Sequence, residues 1–309
     1  MPTSGTYTPT ITFNDIAEEA LDQLQLGEDG ETLSGSMLER ARKTANFMLK
    51  SWAAQGIHLW TQTEGSLFLV KGQAEYDFAT AKLANTWKET TTSAAEALGQ
   101  ATISCTSTAD INVDDVVGIL LDTKNFHWST VQSKSSTTIT LPTPIPSAAA
   151  SGAMVVTYVA SSFIPVNRIT QVRRRESSTY EIPVNFESRE DYFSLPDRST
   201  EGTPIQAYFS RQEPPGTMYI WPTPSTASIS MGFTYERPIQ VIDNAGDELD
   251  VPDYWHEAII YNLAKRLIPK FGCSMGRAQM ITNMAIETLD LALGFDTETY
   301  PITMVMRNA

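Results

Sequence analysis

The sequence has 309 residues, of which 36 are acidic and 22 are basic, so its formal net charge is −14. This charge excludes a protein that holds nucleic acid mainly by neutralising phosphates, because such binding needs a strong basic patch. With 41% hydrophobic and 19% charged residues, the composition also excludes a largely disordered chain, since that many apolar residues supply a sizeable core.

Two amphipathic helices are predicted near the N-terminus. Residues 11–26 place apolar side chains at helical spacing and end at Gly27. Residues 35–55 carry a longer apolar stripe, and Ser36 and Glu39 have the spacing of a capping box. The following residues, 59–78, change to the two-residue alternation of strands on either side of a glycine, which predicts a β-hairpin.

Residues 98–160 differ in composition from the segments that flank them. Only six of them are charged, whereas Thr, Ser, Val and Ile are abundant. Short apolar runs separated by turn-forming residues predict a small all-β barrel or sandwich. Low-complexity loops also have few charges, but the recurrent Val, Ile and Leu pairs require burial. We therefore interpret 98–160 as an inserted, ordered domain.

Further strands, interrupted by prolines, are predicted at residues 163–240, where so many prolines disfavour a regular central sheet. Apolar spacing then predicts two C-terminal helices, at 253–269 and 275–293. None of the four helices has an apolar face large enough for stability alone. We therefore expect them to pack as one bundle, with Trp52 and Trp255 as its core anchors.

Catalytic and metal-binding patterns are scarce. The three histidines lie in separate segments without metal-ligand spacing, and Cys105 and Cys273 are far apart. No phosphate-binding glycine loop or nucleophile elbow occurs, and adjacent acids such as Glu18 and Glu19 are more typical of a solvated face than of a glycosidase. We expect no enzyme activity, metal or cofactor. We also expect no membrane span and no signal peptide, because no long apolar run or basic leader occurs.

The strongest basic signal is the run Arg173, Arg174 and Arg175. In a strand, the first and third of these arginines face one way and the second faces the other, so one patch cannot hold all three. We favour ion pairs between subunits for these arginines. A solvated strand and a DNA contact are the alternatives.

The C-terminal segment, residues 295–309, has an alternating pattern that is unusual for a polar tail. A strand here would place apolar side chains on one face and leave the backbone free to join an exposed sheet edge. We interpret it as an extended arm that binds a partner or a neighbouring copy; the alternative is a strand that folds back on its own subunit. The binding side chains are Tyr300, Ile302, Met304 and Met306, with Val305 on the other face.

Five short motifs occur in a defined order along the chain. MLKSWAAQG (48–56) and KGQAEYDF (71–78) lie in the first half. GTP (202–204), GTMYIWPTP (216–224) and DVPDYWHEAIIYNLA (250–264) lie in the second half. Together this series resembles the head-to-tail adaptor proteins of short-tailed phages. The inserted segment is the departure from the smaller members of that family.

The resemblance implies an α+β fold: a four-helix-type adaptor bundle with proline-rich β-strands and an inserted small all-β barrel domain. Residues 1–90 and 163–294 would form the helical adaptor core with a β-strand platform. Residues 98–160 would form the barrel, and 295–309 the C-terminal arm.

The resemblance also implies a structural role in the virion, with assembly in the host cytoplasm. Twelve copies would form a ring below the portal protein, extend the DNA channel and dock tail nozzle or fibre proteins. The arm would grip the portal, as extended arms do in this family. DNA would pass through without specific binding, which suits an acidic wall.

Two other classes of function stay open. A tail receptor or carbohydrate-binding module would be trimeric or would bind glycan in isolation. A virion-associated cell-wall hydrolase would clear peptidoglycan in a zymogram.

Overall fold

The computed structural model describes residues 10–26, 34–55, 59–160, 163, 165–177, 180–211 and 215–295. The backbone divides into two compact units. Unit 1 combines the two ends of the chain, Met1–Thr61 and Pro238–Ala309, and unit 2 consists of the intervening Gln62–Arg237. None of the described helices is long and apolar enough to cross a membrane.

The α-helices of the described residues, all in unit 1 except the third, are α1 (Phe13–Asp22), α2 (Gly35–Ala53), α3 (Arg189–Phe193), α4 (His256–Phe271) and α5 (Met275–Phe295). Short 3-10 helices lie at Leu59–Thr61 and Asp253–Trp255. Helix α1 begins with a capping box in which Thr12 and Asp15 bond each other's backbone N–H groups. The box expected at Ser36 is absent, because the N-cap of α2 is Ser34, two residues earlier, and the Ser34 side chain makes no capping hydrogen bond.

Helix α4 contacts α1, α2 and α5, and one hydrophobic cluster lies between these helices. Its fully buried members include Ile16, Met48, Leu263 and Ile281. Each helix buries only the side chains of one face, which is the pattern of an amphipathic helix on a shared core. Unit 1 is therefore held together by residues from both ends of the sequence.

All eighteen strands of the described residues lie in unit 2: β1 (Gln62–Phe68), β2 (Glu75–Asp77), β3 (Leu83–Ala84), β4 (Lys88–Thr91), β5 (Thr102–Ser104), β6 (Val116–Leu120), β7 (Phe126–Thr130), β8 (Ser133–Lys134), β9 (Thr138–Thr140), β10 (Met154–Tyr158), β11 (Arg168–Ser177), β12 (Tyr180–Pro183), β13 (Asn185–Phe186), β14 (Glu201–Gly202), β15 (Gln206–Ser210), β16 (Thr217–Trp221), β17 (Thr223–Pro224) and β18 (Ser230–Glu236).

These strands form five sheets. The largest has the order β12-β11-β18-β1-β3, and two four-stranded sheets have the orders β4-β10-β6-β7 and β13-β15-β16-β2. A three-stranded sheet, β5-β9-β8, and the pair β14-β17 complete unit 2. Neighbouring strands are antiparallel except in the pairs β13-β15 and β14-β17.

The first and last strands of unit 2 are neighbours in the largest sheet. Strand β1 pairs with β18 from Gln62 opposite Glu236 to Phe68 opposite Ser230. The Phe233 ring lies over Gly65, where an added Cβ would stand only 2.7 Å from it. A glycine is needed here because the aromatic ring occupies the space of a side chain.

The described residues of unit 2 form three hydrophobic clusters. One lies beneath the largest sheet and includes Leu67, Met231 and Phe233. A second, within residues 103–155, includes Ile119 and Ile139. The third contains side chains both from the largest sheet and from the sheet β4-β10-β6-β7. The predicted domain boundaries at 1–90, 98–160, 163–294 and 295–309 stay a prediction.

The predicted fold class, a four-helix-type adaptor bundle with proline-rich strands and an inserted barrel, is wrong. The described chain is mixed α+β but consists mostly of sheets, with eighteen strands and only five α-helices. The prolines that the structure describes do not prevent a regular sheet, because they lie at strand ends or in connections. Pro183 ends an edge strand, whereas the interiors of β11 and β18 contain no proline.

The predicted hairpin at residues 59–78 is also wrong. Strand β1 pairs with β18 and β3, whereas β2 pairs with β16 in a different sheet. The hydroxyl of Tyr76, in β2, accepts a hydrogen bond from Val70 N–H (2.9 Å) and donates one to Val70 C=O (3.1 Å). Alternation identifies a strand but not its partner.

Candidate interaction surfaces

Arg173 and Arg175 lie on one face of β11 in a network of four charged side chains. Arg173 Nε lies 2.7 Å from Glu181 Oε2, and Arg175 Nη2 lies 3.6 Å from Glu64 Oε2. Arg173 also pairs with Glu64, and Arg175 with Glu181. Each guanidinium therefore contacts both carboxylates. The two arginine side chains are only 18% and 16% exposed, so solvent screens these pairs less than it screens a free surface pair.

The neighbouring residues provide space and further hydrogen bonds for this network. Gly232 lies opposite Arg173 on β18, and a Cβ there would stand 3.2 Å from Arg175 Nε. Ser66 Oγ accepts hydrogen bonds from Arg175 Nη1 (2.7 Å) and from the indole nitrogen of Trp87 (2.9 Å). A side chain at position 232 would crowd the guanidinium of Arg175 and the Cγ of Arg173.

Arg174 takes part in different contacts. Its Nε lies 2.9 Å from Glu176 Oε1, and its Nη1 donates to the carbonyl oxygen of Pro204 at 3.2 Å. All the ion pairs described for the three arginines are therefore within one chain. The predicted pairing of these arginines between subunits stays a prediction.

A cleft of about 610 Å³ lies beside the Arg–Glu network. Trp87, Thr90, Thr106, Arg175 and Glu181 line it together with Lys88 and Glu89 of the edge strand β4. Most of its lining residues are polar or charged, but they do not form a cluster of catalytic side chains. It is a candidate contact surface for another protein.

An aromatic cluster covers part of the sheet that contains β15 and β16. The rings of Tyr208 and Tyr219 stack with centroids 5.8 Å apart, and Phe193 lies 5.6 Å from Tyr219. The guanidinium carbons of Arg189 and Arg198 lie 5.7 and 5.1 Å from the centre of the Phe193 ring. Tyrosine and arginine are common in the hot spots of protein interfaces.

Sequence reasoning missed this cluster as a site. Tyr219 belongs to a motif of the resemblance, but Phe193 lies on the five-residue helix α3, which was not predicted. The alternation of Tyr208 with the buried Ala207 and Phe209 was the available signal.

Trp52 and Trp255, predicted as core anchors, are 6% and 1% exposed. Their ring centroids are 5.5 Å apart, and the ring of Trp60 lies 5.0 Å from that of Trp255. All three rings pack in or against the hydrophobic cluster of unit 1.

The remaining chemistry of the described chain is sparse. Among the residues that the structure describes, no group of three His, Cys, Asp or Glu side chains could hold a metal ion. Both cysteines are free thiols; Cys105 is buried, and burial raises its thiol pKa to about 11. Burial lowers the pKa of His256 despite the opposing charge of Asp253. The predicted arm residues Tyr300, Ile302, Met304, Val305 and Met306 lie outside the described residues.

Residues 128–301, more than half of the chain, match the family described as SU10 adaptor protein. The chain belongs to the SU10 adaptor protein family. No match was found among the curated proteins.

Membership in the SU10 adaptor family confirms the resemblance to phage adaptors. The matched range contains all three second-half motifs, between residues 202 and 264, and begins within the segment 98–160. The family is one of phage structural adaptors, which implies a non-enzymatic role and a place in the virion in association with other virion components.

Proposed function

We propose that this SU10 adaptor is a head-to-tail adaptor that forms a ring of twelve below the portal protein. It extends the DNA channel and presents docking sites for tail nozzle or fibre proteins. The observation that carries this proposal is the family match over residues 128–301. The copies are monomeric or weakly associated alone and close into a ring on the portal, since a template fixes the rotation between head-to-tail contacts.

The charge of the chain supports a conduit that does not hold DNA. Each copy carries a formal charge of −14. Arg173 and Arg175, which could otherwise contact phosphates, are already paired with Glu64 and Glu181. A wall of this kind repels the phosphate backbone and lets DNA slide past.

Electron microscopy tests the ring directly. Purified adaptor is imaged by negative stain alone and after mixing with the portal of the same virion. We expect isolated particles alone and twelve-fold density beneath the portal in the mixture. A stable ring without portal contradicts templated closure, and the absence of adaptor on the portal contradicts the function.

The C-terminal arm, 295–309, is proposed to bind the portal or a neighbouring copy through Tyr300, Ile302, Met304, Val305 and Met306. Deleting 296–309 is expected to abolish portal binding in a pull-down and to leave the melting temperature nearly unchanged. A truncated adaptor that still binds, or one that melts several degrees earlier, counts against the arm.

A further inference from the structure

Helix α2 presents an exposed stripe that combines one aromatic ring with basic side chains. Arg40, Lys43, Phe47 and Lys50 follow the spacing of a single helix face, and all four are exposed. Phe47 is 70% exposed. Arg40 and Lys50 have no ion pair with any residue that the structure describes, whereas Lys43 lies 3.2 Å from Glu39. The stripe is basic although the chain is strongly acidic.

Helix α5 presents a face of the opposite character. Asn283, Ile286, Glu287, Asp290 and Leu291, all on the exposed side of this helix, line a shallow, open cleft of about 490 Å³. Ile286 and Leu291 are 51% and 69% exposed. Neither carboxylate of this cleft forms an ion pair within the described part of the chain. Exposed apolar side chains beside unpaired charges are typical of a protein contact surface.

We propose that the α2 stripe of one copy docks into the α5 cleft of the next copy, with Phe47 between Ile286 and Leu291. The inference rests on the proposed ring and names the surfaces that join its members. In this contact the ammonium groups of Lys43 and Lys50 pair with Glu287 and Asp290.

The spacing of the side chains fits this pairing. At 1.5 Å per residue, Lys43 and Lys50 lie about 6 and 4.5 Å along the helix axis on either side of Phe47. Glu287 and Asp290 are about 4.5 Å apart along α5, between Ile286 and Leu291. A lysine side chain is long enough to cover the remaining offset of a few ångströms.

The partner that binds the α5 cleft is a second copy of this chain, because the basic α2 stripe and the acidic α5 cleft that complements it both lie on the same chain. The α2 stripe and the α5 cleft are different surfaces, so the contact is heterologous and leaves one of each free at the ends of any open chain of copies. Such a contact closes when the rotation between copies completes a circle. Its small apolar part, one ring in one cleft, suits weak association in the absence of a template.

Cysteine cross-linking between differently tagged copies tests the contact. In full-length chains carrying Cys273→Ser, Phe47→Cys is introduced in one batch and Leu291→Cys in the other, and the two batches are mixed at high concentration under mild oxidation. We expect a covalent heterodimer in the mixture and monomer in each batch alone. Leu98→Cys, which replaces a side chain that is 69% exposed, takes the place of Phe47→Cys as the matched control and should give no heterodimer.

Charge reversal provides the second arm of the test. Adding Lys43→Glu and Lys50→Glu to the Phe47→Cys chain should reduce the heterodimer yield at least tenfold. Adding Glu287→Lys and Asp290→Lys to the partner should restore it. Far-ultraviolet circular dichroism and maleimide labelling verify that each variant is folded and that its cysteine is accessible.

The outcomes separate the contact from the function. No heterodimer with accessible cysteines, or dimerisation of Phe47→Cys alone, overturns the proposed contact. A ring on the portal that forms equally well with Lys43→Glu and Lys50→Glu also overturns it but leaves the adaptor function intact. Cross-linking without any ring on the portal supports the contact and contradicts the function.

Discussion

Replacing Trp255 with alanine should strongly destabilise unit 1. The Trp255 side chain is 1% exposed and contacts the rings of Trp52 and Trp60. A buried tryptophan removes roughly 200 Å² from water, which is worth about 5 kcal/mol at 25 cal/mol per Å². The alanine side chain still buries part of this area, whereas the cavity left by the indole destabilises the fold further. We therefore expect a loss of about 4 kcal/mol in the free energy of unfolding.

Urea unfolding followed by circular dichroism at 222 nm measures this loss, because the helices of unit 1 dominate the signal. With a slope of about 2 kcal/mol per molar urea, the midpoint should fall by about 2 M. Phe47→Ala is the matched control; Phe47 is 70% exposed on the same unit, so its midpoint should move by no more than about 0.25 M, which corresponds to about 0.5 kcal/mol. The reasoning is refuted if the two variants shift the midpoint equally.

Three further predictions follow from unit 2 and the thiols. Gly118→Ala should cost about 1–3 kcal/mol in thermal or urea unfolding, because its Cβ would stand 2.6 Å from the Trp128 ring; an unchanged midpoint contradicts this. At pH 8 a thiol reagent should modify Cys273 quickly and Cys105 only after denaturation. The raised pKa of Cys105 keeps its thiol protonated, and burial blocks access of the reagent. Rapid modification of both thiols in the native protein would refute this prediction. Deleting 98–160 and closing the gap with a short linker should preserve the helical circular dichroism signal, since all but one of the described helices lie in unit 1. The deletion should increase binding of a hydrophobic dye, because Phe68 loses the Trp128 and Tyr158 rings that cover it. A loss of helical signal would count against that prediction.

The helices were predictable because their apolar side chains repeat over many turns. All four helices of unit 1 lie within a few residues of their predicted bounds. The largest difference is at the end of α1, which is predicted at residue 26 but lies at Asp22. Helix α4, predicted to end at Pro269, extends to Phe271 and stops at Gly272 with φ 76°. Pro269 lacks the N–H that would donate to the carbonyl oxygen of residue 265, so the helix continues past it with one backbone hydrogen bond fewer.

The arrangement of the elements was not predictable, because partner choice depends on contacts between distant segments. Nothing near β1 indicates that its partner is β18 rather than β2. The predicted fold class gave the sheets too small a share for the same reason: short apolar runs require burial but do not specify which strands they pair with. The strands of residues 163–240 instead form sheets with their own cores.

The candidate surfaces were predictable to different degrees. The opposite orientations of Arg173 and Arg174 follow from strand geometry alone. Their partners Glu64 and Pro204 lie 109 and 30 residues away in sequence, so they could not be identified from a local pattern. Phe193 could not be found either, because a helix of five residues is too short for a periodic signal.

The pairing of Gln62 with Glu236 has a consequence for how the chain acquires its structure during synthesis. Unit 1 needs α1 and α2 from the first part of the chain and α4 and α5 from the last, so a ribosome must finish nearly the whole polypeptide before this core can close. Unit 2, by contrast, is contiguous and can fold earlier. Once β1 and β18 are paired, the N-terminal and C-terminal ends of unit 2 lie side by side. The N-terminal and C-terminal helices of unit 1, which are far apart in sequence, are then linked over a short distance in space. The folding of unit 2 has then already offset the entropic cost of bringing the ends of that loop together. The two C-terminal helices can therefore dock onto the N-terminal helices as if a short turn connected them.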